Sequence, residues 1–217
     1  MSATHGSPRR WNERWKDAGA GRHYAGARWS SQRRAQRDPR LVERLLARTE
    51  LAGARILDAP CGTGRLAAGL RPRASALVGL DVSRPMLAEA RAAGVDAVQG
   101  DVRQLPFPDG SFDLVVCCRL LHHLAERSEL DAVVRELVRV SRGLVAASFW
   151  DQSSLPGLRR RLGTKKGRGR VARTRRELSE AFDAAGAEVQ SFAHSFRWVS
   201  QQTFALAAVT RQQAAAR

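Results

Sequence analysis

The run ILDAPCGTGRLA, from Ile56 to Ala67, places an apolar strand ending on Asp58 before a turn that holds Gly62 and Gly64, and a helical pattern follows. Glycine has no Cβ and tolerates positive φ, so such a turn lets the backbone approach a ligand closely. A second carboxylate, Asp81, comes 23 residues later at the tip of the run VGLDVSRPML. An acid there can accept both hydroxyls of a ribose. Ser83 is suited to cap the helix that follows, and Met86 in its first turn offers a polarizable surface beside an adenine. Further on, Gly100 and Asp101 end a third apolar run; Asp101 can accept from an adenine amino group, and Val102 can present a backbone N–H to the ring. The segment LPFPDGSFDLVVCC then leads to Leu121, His122, His123 and Leu124. A neutral imidazole at such a place can act as a general base near pH 7. Each feature also has a plain structural counterpart: a tight βα turn for the glycines, a helix cap for Asp81, core filling for Met86 and packing for the histidines. The glycine pattern alone is weak, since Gly62, Gly64 and Ala67 also match a dinucleotide fingerprint.

The elements that must position these residues read as alternating strands and helices, the sign of βαβ units and a parallel sheet. Strands are expected over 54–58, 76–81, 96–100, 112–118 and 143–149. Between the last two, Leu130, Val133, Val134, Leu137 and Val138 follow a helical stripe, opened by a capping box of Ser128 with Asp131. Thr174 with Glu177 forms a second such box. Apolar strands near 187–195 and 202–210 read as a closing hairpin. Residues 1–37 form a separate N-terminal segment in which Trp11, Trp15, Tyr24 and Trp29 suggest a cap on the body formed by 38–217.

The chain has 217 residues, 43% of them hydrophobic and 27% charged, which is the composition of one folded domain able to bury a core without staples. Three cysteines without a CxxC pair support neither a disulfide framework nor a zinc site, and no metal is expected. That usage, with no apolar run of about 18 residues, points to a cytoplasmic protein without a membrane span or secretory signal. The formal net charge is +16, and it is uneven. Residues 157–176 hold ten basic residues and no acid, residues 1–50 hold 12 basic and five acidic, and the remainder is close to neutral. With 34 Arg and only three Lys, codon usage accounts for the choice of Arg, but not for the missing acids in one 20-residue stretch. A mobile, anion-facing loop over 157–176 is one reading and a solvated charge run is the other.

Taken in order and with their spacing, the three motifs resemble those of the class I S-adenosylmethionine-dependent methyltransferases, within the broad group that includes ubiquinone and menaquinone methyltransferases. The resemblance covers about residues 40–150. It implies a Rossmann-like, doubly wound α/β fold with a seven-stranded sheet and an antiparallel last strand. It further implies that Asp58, Gly62 and Gly64 hold the methionine part of S-adenosylmethionine, Asp81 the ribose, Met86 the adenine face, and Asp101 with Val102 the adenine edge. Cys118 and Arg119 would approach the sulfonium and the methionine amino group through their backbone. Pro60 departs from the pattern, standing where many relatives have the first glycine of the loop; it removes a donor and fixes φ.

The chemistry so implied is transfer of a methyl group to an oxygen, nitrogen or carbon nucleophile, with His123 the candidate base where the acceptor must lose a proton. Enzymes of this class that methylate amino groups of nucleic acids commonly carry an Asn/Asp-Pro-Pro-aromatic motif after the fourth strand, and here that position reads CCRLLHHL. This favours a small-molecule acceptor, and the basic segments favour an anionic one. RNA methylation or plain RNA binding through those segments is the alternative. An NAD-dependent oxidoreductase would account for the glycine turn and Asp81 but leave Gly100–Asp101 and the LPFPDGSFD run unexplained. Cys117 and Cys118 read as packing residues and not as nucleophiles.

Overall fold

The computed structural model describes residues 36–155, 170–194 and 202–210. Almost all of the N-terminal segment and most of the basic stretch therefore lie outside the described residues. The elements run α1 (Arg37–Leu45), β1 (Ala54–Asp58), α2 (Ala67–Leu70), β2 (Ala74–Asp81), α3 (Arg84–Ala92), β3 (Asp96–Gln99) and β4 (Phe112–Cys117). They continue with α4 (Arg127–Val140), β5 (Ser141–Trp150), α5 (Arg175–Ala184), β6 (Ala187–His194) and β7 (Gln202–Val209). Short 3₁₀ turns cover Arg71–Arg73 and Leu121–His123.

The seven strands form one sheet in the order β3-β2-β1-β4-β5-β7-β6, with β1 to β5 mutually parallel and β7 antiparallel to both β5 and β6. The expected antiparallel closing hairpin is present, and its last strand inserts between β5 and β6. Side chains alternate across the sheet with period two. Leu57, Val115 and Val145 face one core, with Leu130, Leu137, Leu178 and Phe182 of α4 and α5. Ile56, Leu114, Val116 and Ala146 face the other, with Leu41 and Val42 of α1, Leu66, and Leu87 of α3. Both faces are covered, as a parallel sheet requires.

Three local expectations need correction. The capping box of α4 is Glu126 with Glu129, two residues earlier than the Ser128 box; Asp131 pairs with Arg127 at 2.7 Å, so the acid taken for a cap is an i,i+4 partner. Ser83 occupies the N-cap of α3, but its buried hydroxyl makes no capping bond. Asp81 Oδ1 accepts the Ser83 N–H at 2.9 Å. The helix expected directly after the glycine turn is only the four residues of α2, because the chain passes at Arg71 into a 3₁₀ turn carrying Pro72. The Thr174–Glu177 box at the start of α5 is as read from the sequence.

Among the described residues no helix is long and apolar enough to cross a membrane, and no group of His, Cys, Asp and Glu is placed to hold a metal ion. The three cysteines are buried free thiols. Burial raises all three, Cys118 to about 12 and Cys117 well above its ordinary value, so they pack as neutral groups.

Candidate active site

Strand order reverses between β1 and β4, and in open α/β sheets the crevice past the carboxyl ends of the strands at that point is where ligands bind. A cleft opens there, lined by Asp58 at the tip of β1, Asp81 at the tip of β2, the Pro60–Leu66 turn, Met86 of α3, and Cys118, Arg119 and His123 after β4. Those residues come from four separate stretches of chain, and parallel register brings them to one edge: Asp58 pairs with Gly79 of β2 and with Val116 of β4.

The turn is held by its own backbone and by one carboxylate. Ala59 N–H donates to Val116 O at 2.8 Å, Cys61 N–H to Leu80 O at 2.9 Å and Gly64 N–H to Cys61 O at 3.0 Å. Gly62 N–H donates to Asp81 Oδ2 at 2.9 Å. Gly62 has φ +55° and open space where a Cβ would stand, so it leaves room on the ligand side. Gly64 has φ +74°, and a Cβ there would meet Ala90 Cα and Val95 Cγ2 at 3.2 Å. It does not line the cleft; its lack of a side chain lets the turn pack on α3. Gly64→Ala is therefore expected to lower the unfolding free energy by about 1–3 kcal/mol, from the left-handed backbone and the crowding together. Urea titration checks it, and a variant as stable as wild type would mean that α3 yields.

Asp58 is buried, its Oδ1 has no hydrogen-bond partner among the described residues, and desolvation raises its carboxyl to about 8 although Arg65 pulls it down. Asp81 is also raised by burial, against the hydrogen bonds from the Ser83 and Gly62 N–H groups. Its oxygens accept the Gly62 and Ser83 N–H groups and the Val82 N–H also favours the charged form, and a carboxylate has about four acceptor positions, so acceptor capacity remains for a ligand. Met86 is buried against the cleft, 3% exposed. His122 is buried and stacks flat on Trp150, ring centroids 4.5 Å apart; it and the half-buried His123 both line the cleft.

Asp101 and Val102 do not line the cleft. Val102 is buried in the core, and Asp101 is engaged on both oxygens by the Arg103 guanidinium and accepts the Arg103 N–H at 3.0 Å. The LPFPDG run after it is tied to α4: Leu105 N–H donates to Glu136 Oε2, and Arg139 donates to the carbonyls of Leu105 and Phe107 and to Asp109. Arg119 N–H donates to Ser148 Oγ at 2.7 Å, so that donor is already engaged. Sequence reasoning missed Asp38, which is buried in α1 and accepts from both Arg65 and Arg119. Its only visible signal is an acid in the first turn of an otherwise Arg-rich helix.

Residues 56–143, the part of the chain that supplies this edge, match the family described as a methyltransferase domain. The matched segment, similar to a methyltransferase domain, makes up about two fifths of the chain. The chain is 40% identical over 99 residues to demethylmenaquinone methyltransferase of Thermus thermophilus, covering 42% of this chain and 44% of that protein. It is 31% identical over 110 residues to ubiquinone biosynthesis O-methyltransferase of Xanthomonas oryzae pv. oryzae, covering 48% of this chain and 45% of that protein. These matches span less than half the length of each relative. The magnesium protoporphyrin IX methyltransferase of Synechocystis, crystallised with S-adenosylhomocysteine, shares the fold of the domain at a TM-score of 0.70 and 18% identity, over 87% of this chain and 97% of that one.

Proposed function

We propose that the protein binds S-adenosylmethionine in this cleft and methylates an oxygen, nitrogen or carbon nucleophile of a small anionic acceptor. The observation that carries the reading is the pair of buried strand-tip carboxylates: Asp81 with acceptor positions to spare, and Asp58 with an unpartnered oxygen at the cleft. A ribose suits the first and a cationic ammonium suits the second, so the residues present fit the cofactor. When bound, the cofactor supplies an electrophilic methyl group on a sulfonium. The chain aligns the partners and excludes water, and His123 takes the proton where the acceptor must lose one.

An anionic acceptor is favoured by the ten basic residues of 157–176. The described downstream end of that stretch lies beside the histidines: Val171 N–H donates to His122 O at 2.9 Å, and the Arg170 guanidinium sits over the Trp150 ring at 5.2 Å. The two quinone-biosynthesis relatives suggest a ring-bearing acceptor. The same charge favours a second reading, RNA methylation, which predicts RNA binding that weakens steeply with salt. No RNA binding at low salt in gel-shift titration removes it.

Thermal unfolding tests the cofactor. S-adenosylhomocysteine at about a hundredfold over its Kd should stabilise the native state by roughly 3 kcal/mol, a rise in Tm of about 5–10 °C for a chain of this size. NAD should give none, and stabilisation by NAD without stabilisation by S-adenosylhomocysteine would overturn the proposal.

A further inference from the structure

The turn that carries His122 and His123 is gripped from outside its own stretch of chain. Val171 N–H donates to His122 O at 2.9 Å, and the Trp150 ring stacks on the His122 ring with centroids 4.5 Å apart. Just past the turn, Arg173 Nη2 donates to Leu124 O at 2.7 Å and reaches the carbonyls of Ala125 and Glu126 at 3.3 and 3.4 Å. Arg173 is itself fixed to the end of β5: its N–H donates to Trp150 O at 2.9 Å, and its carbonyl accepts the Gln152 N–H at 3.0 Å. It stands 49 residues after Leu124, so this contact belongs to the tertiary fold alone.

Burying Arg173 costs free energy. It is 6% exposed, its Nε has no hydrogen-bond partner among the described residues, and its side chain meets carbonyl oxygens where a buried cation is ordinarily paired with a carboxylate. Desolvation accordingly pulls its titration below that of an ordinary arginine. The neighbouring helices have their own anchors. α4 has the Glu126–Glu129 capping box and buries Leu130, Val133, Val134 and Leu137, and α5 has the Thr174–Glu177 box and buries Leu178 and Phe182. What Arg173 adds is a fixed point for the short chain between them and β4, a 3₁₀ turn held from within by His123 N–H to Leu120 O at 2.8 Å and Leu124 N–H to Leu121 O at 3.3 Å. Resting on the reading of His123 above, we propose that Arg173 is a positioning residue: by holding the carbonyls just past the turn it sets where the His123 imidazole stands in the cleft.

The test compares Arg173→Ala, Arg173→Lys and a control, Arg176→Ala, which removes an exposed arginine of α5, as full chains. Amide hydrogen exchange reads the turn, and NMR of the histidine Cε1–H groups reads the imidazole, with the His123 resonance assigned by its loss in His123→Gln. In Arg173→Ala the His123 and Leu124 amides should exchange roughly ten- to hundredfold faster, the range for a lost hydrogen bond to a charged group, while those of β4 and β5 stay within about threefold. S-adenosylhomocysteine should move the His123 resonance in the wild type. That response should shrink in both Arg173 variants and stay whole in the control; lysine keeps the charge but not the planar fork, so a loss shared by both variants reports geometry. The Kd of S-adenosylhomocysteine should stay within about threefold, since Asp58 and Asp81 are untouched. Unchanged exchange at the turn, or faster exchange with the wild-type response of His123, would overturn the proposal. So would equally faster exchange throughout the fold in both variants. A wild type whose His123 resonance ignores S-adenosylhomocysteine would instead overturn the cofactor reading, with the exchange result still deciding whether Arg173 holds the turn.

Discussion

Replacing Asp81 with alanine is expected to raise the dissociation constant of S-adenosylhomocysteine by roughly a hundredfold or more while the sheet stays folded. Hydrogen bonds to charged groups contribute about 1.5–3 kcal/mol each, and two ribose hydroxyls would lose theirs. The structure adds a second effect to the first. Asp81 Oδ2 also holds the Gly62 N–H and Oδ1 the Ser83 N–H, so the substitution loosens the glycine turn and the start of α3 together. Burial of the carboxylate is itself costly, as its raised titration shows, and its removal offsets part of that loss in the free protein. Binding should therefore suffer much more than stability. Calorimetry paired with urea unfolding separates the two; an unchanged Kd in a folded variant would reduce Asp81 to a brace between turn and helix.

The second large effect concerns Asp58 and pH. Its carboxyl stands near 8 in the folded chain against an ordinary 3.8, because burial penalises the charged form. Below about pH 4 both folded and unfolded chains hold this proton and the site costs nothing. From there to about pH 8 the unfolded chain has released the proton and the folded one keeps it, so stability falls by about 1.4 kcal/mol per pH unit. Above pH 8 the penalty is complete and constant. At pH 7 it is on the order of 4 kcal/mol. Asp58→Asn removes the titration, so its stability relative to wild type should climb between pH 5 and pH 8. Asp81 is raised as well and contributes a slope of the same sign in both proteins, and its charge is one of the causes of the Asp58 shift. Urea midpoints at four pH values check this, and parallel pH profiles would show that Asp58 is ionised in the folded protein throughout. A cationic group arriving beside Asp58 would relieve the same penalty, so ligand binding and deprotonation at this site are expected to favour one another.

The reach of sequence reasoning follows the range of the interactions concerned. β1 was legible to the residue, and the closing hairpin and the Thr174 cap were legible as elements, because period-two burial and capping depend on near neighbours. Asp58, Asp81, Gly62, Met86 and His123, named from their motifs, and Cys118 and Arg119, named from the family resemblance, all line the cleft. Where near neighbours offer two solutions, tertiary contacts chose. Ala90 and Val95 behind Gly64 make that glycine a packing position, whereas Asp101 is held by a near neighbour, Arg103, two residues away. Asp38 is 27 residues from Arg65 and 81 from Arg119, and nothing in the run RDPRLVERL marks it as more than an acid in a helix's first turn. Only the docking of α1 on the apolar face of the sheet brings its carboxylate to these two arginines. The sequence by itself determined the alternation of elements and the chemical character of the strand tips. The tertiary structure decided which of those groups share one cleft and which are held by other side chains, because burial and ion pairing depend on what the fold brings close and not on spacing along the chain.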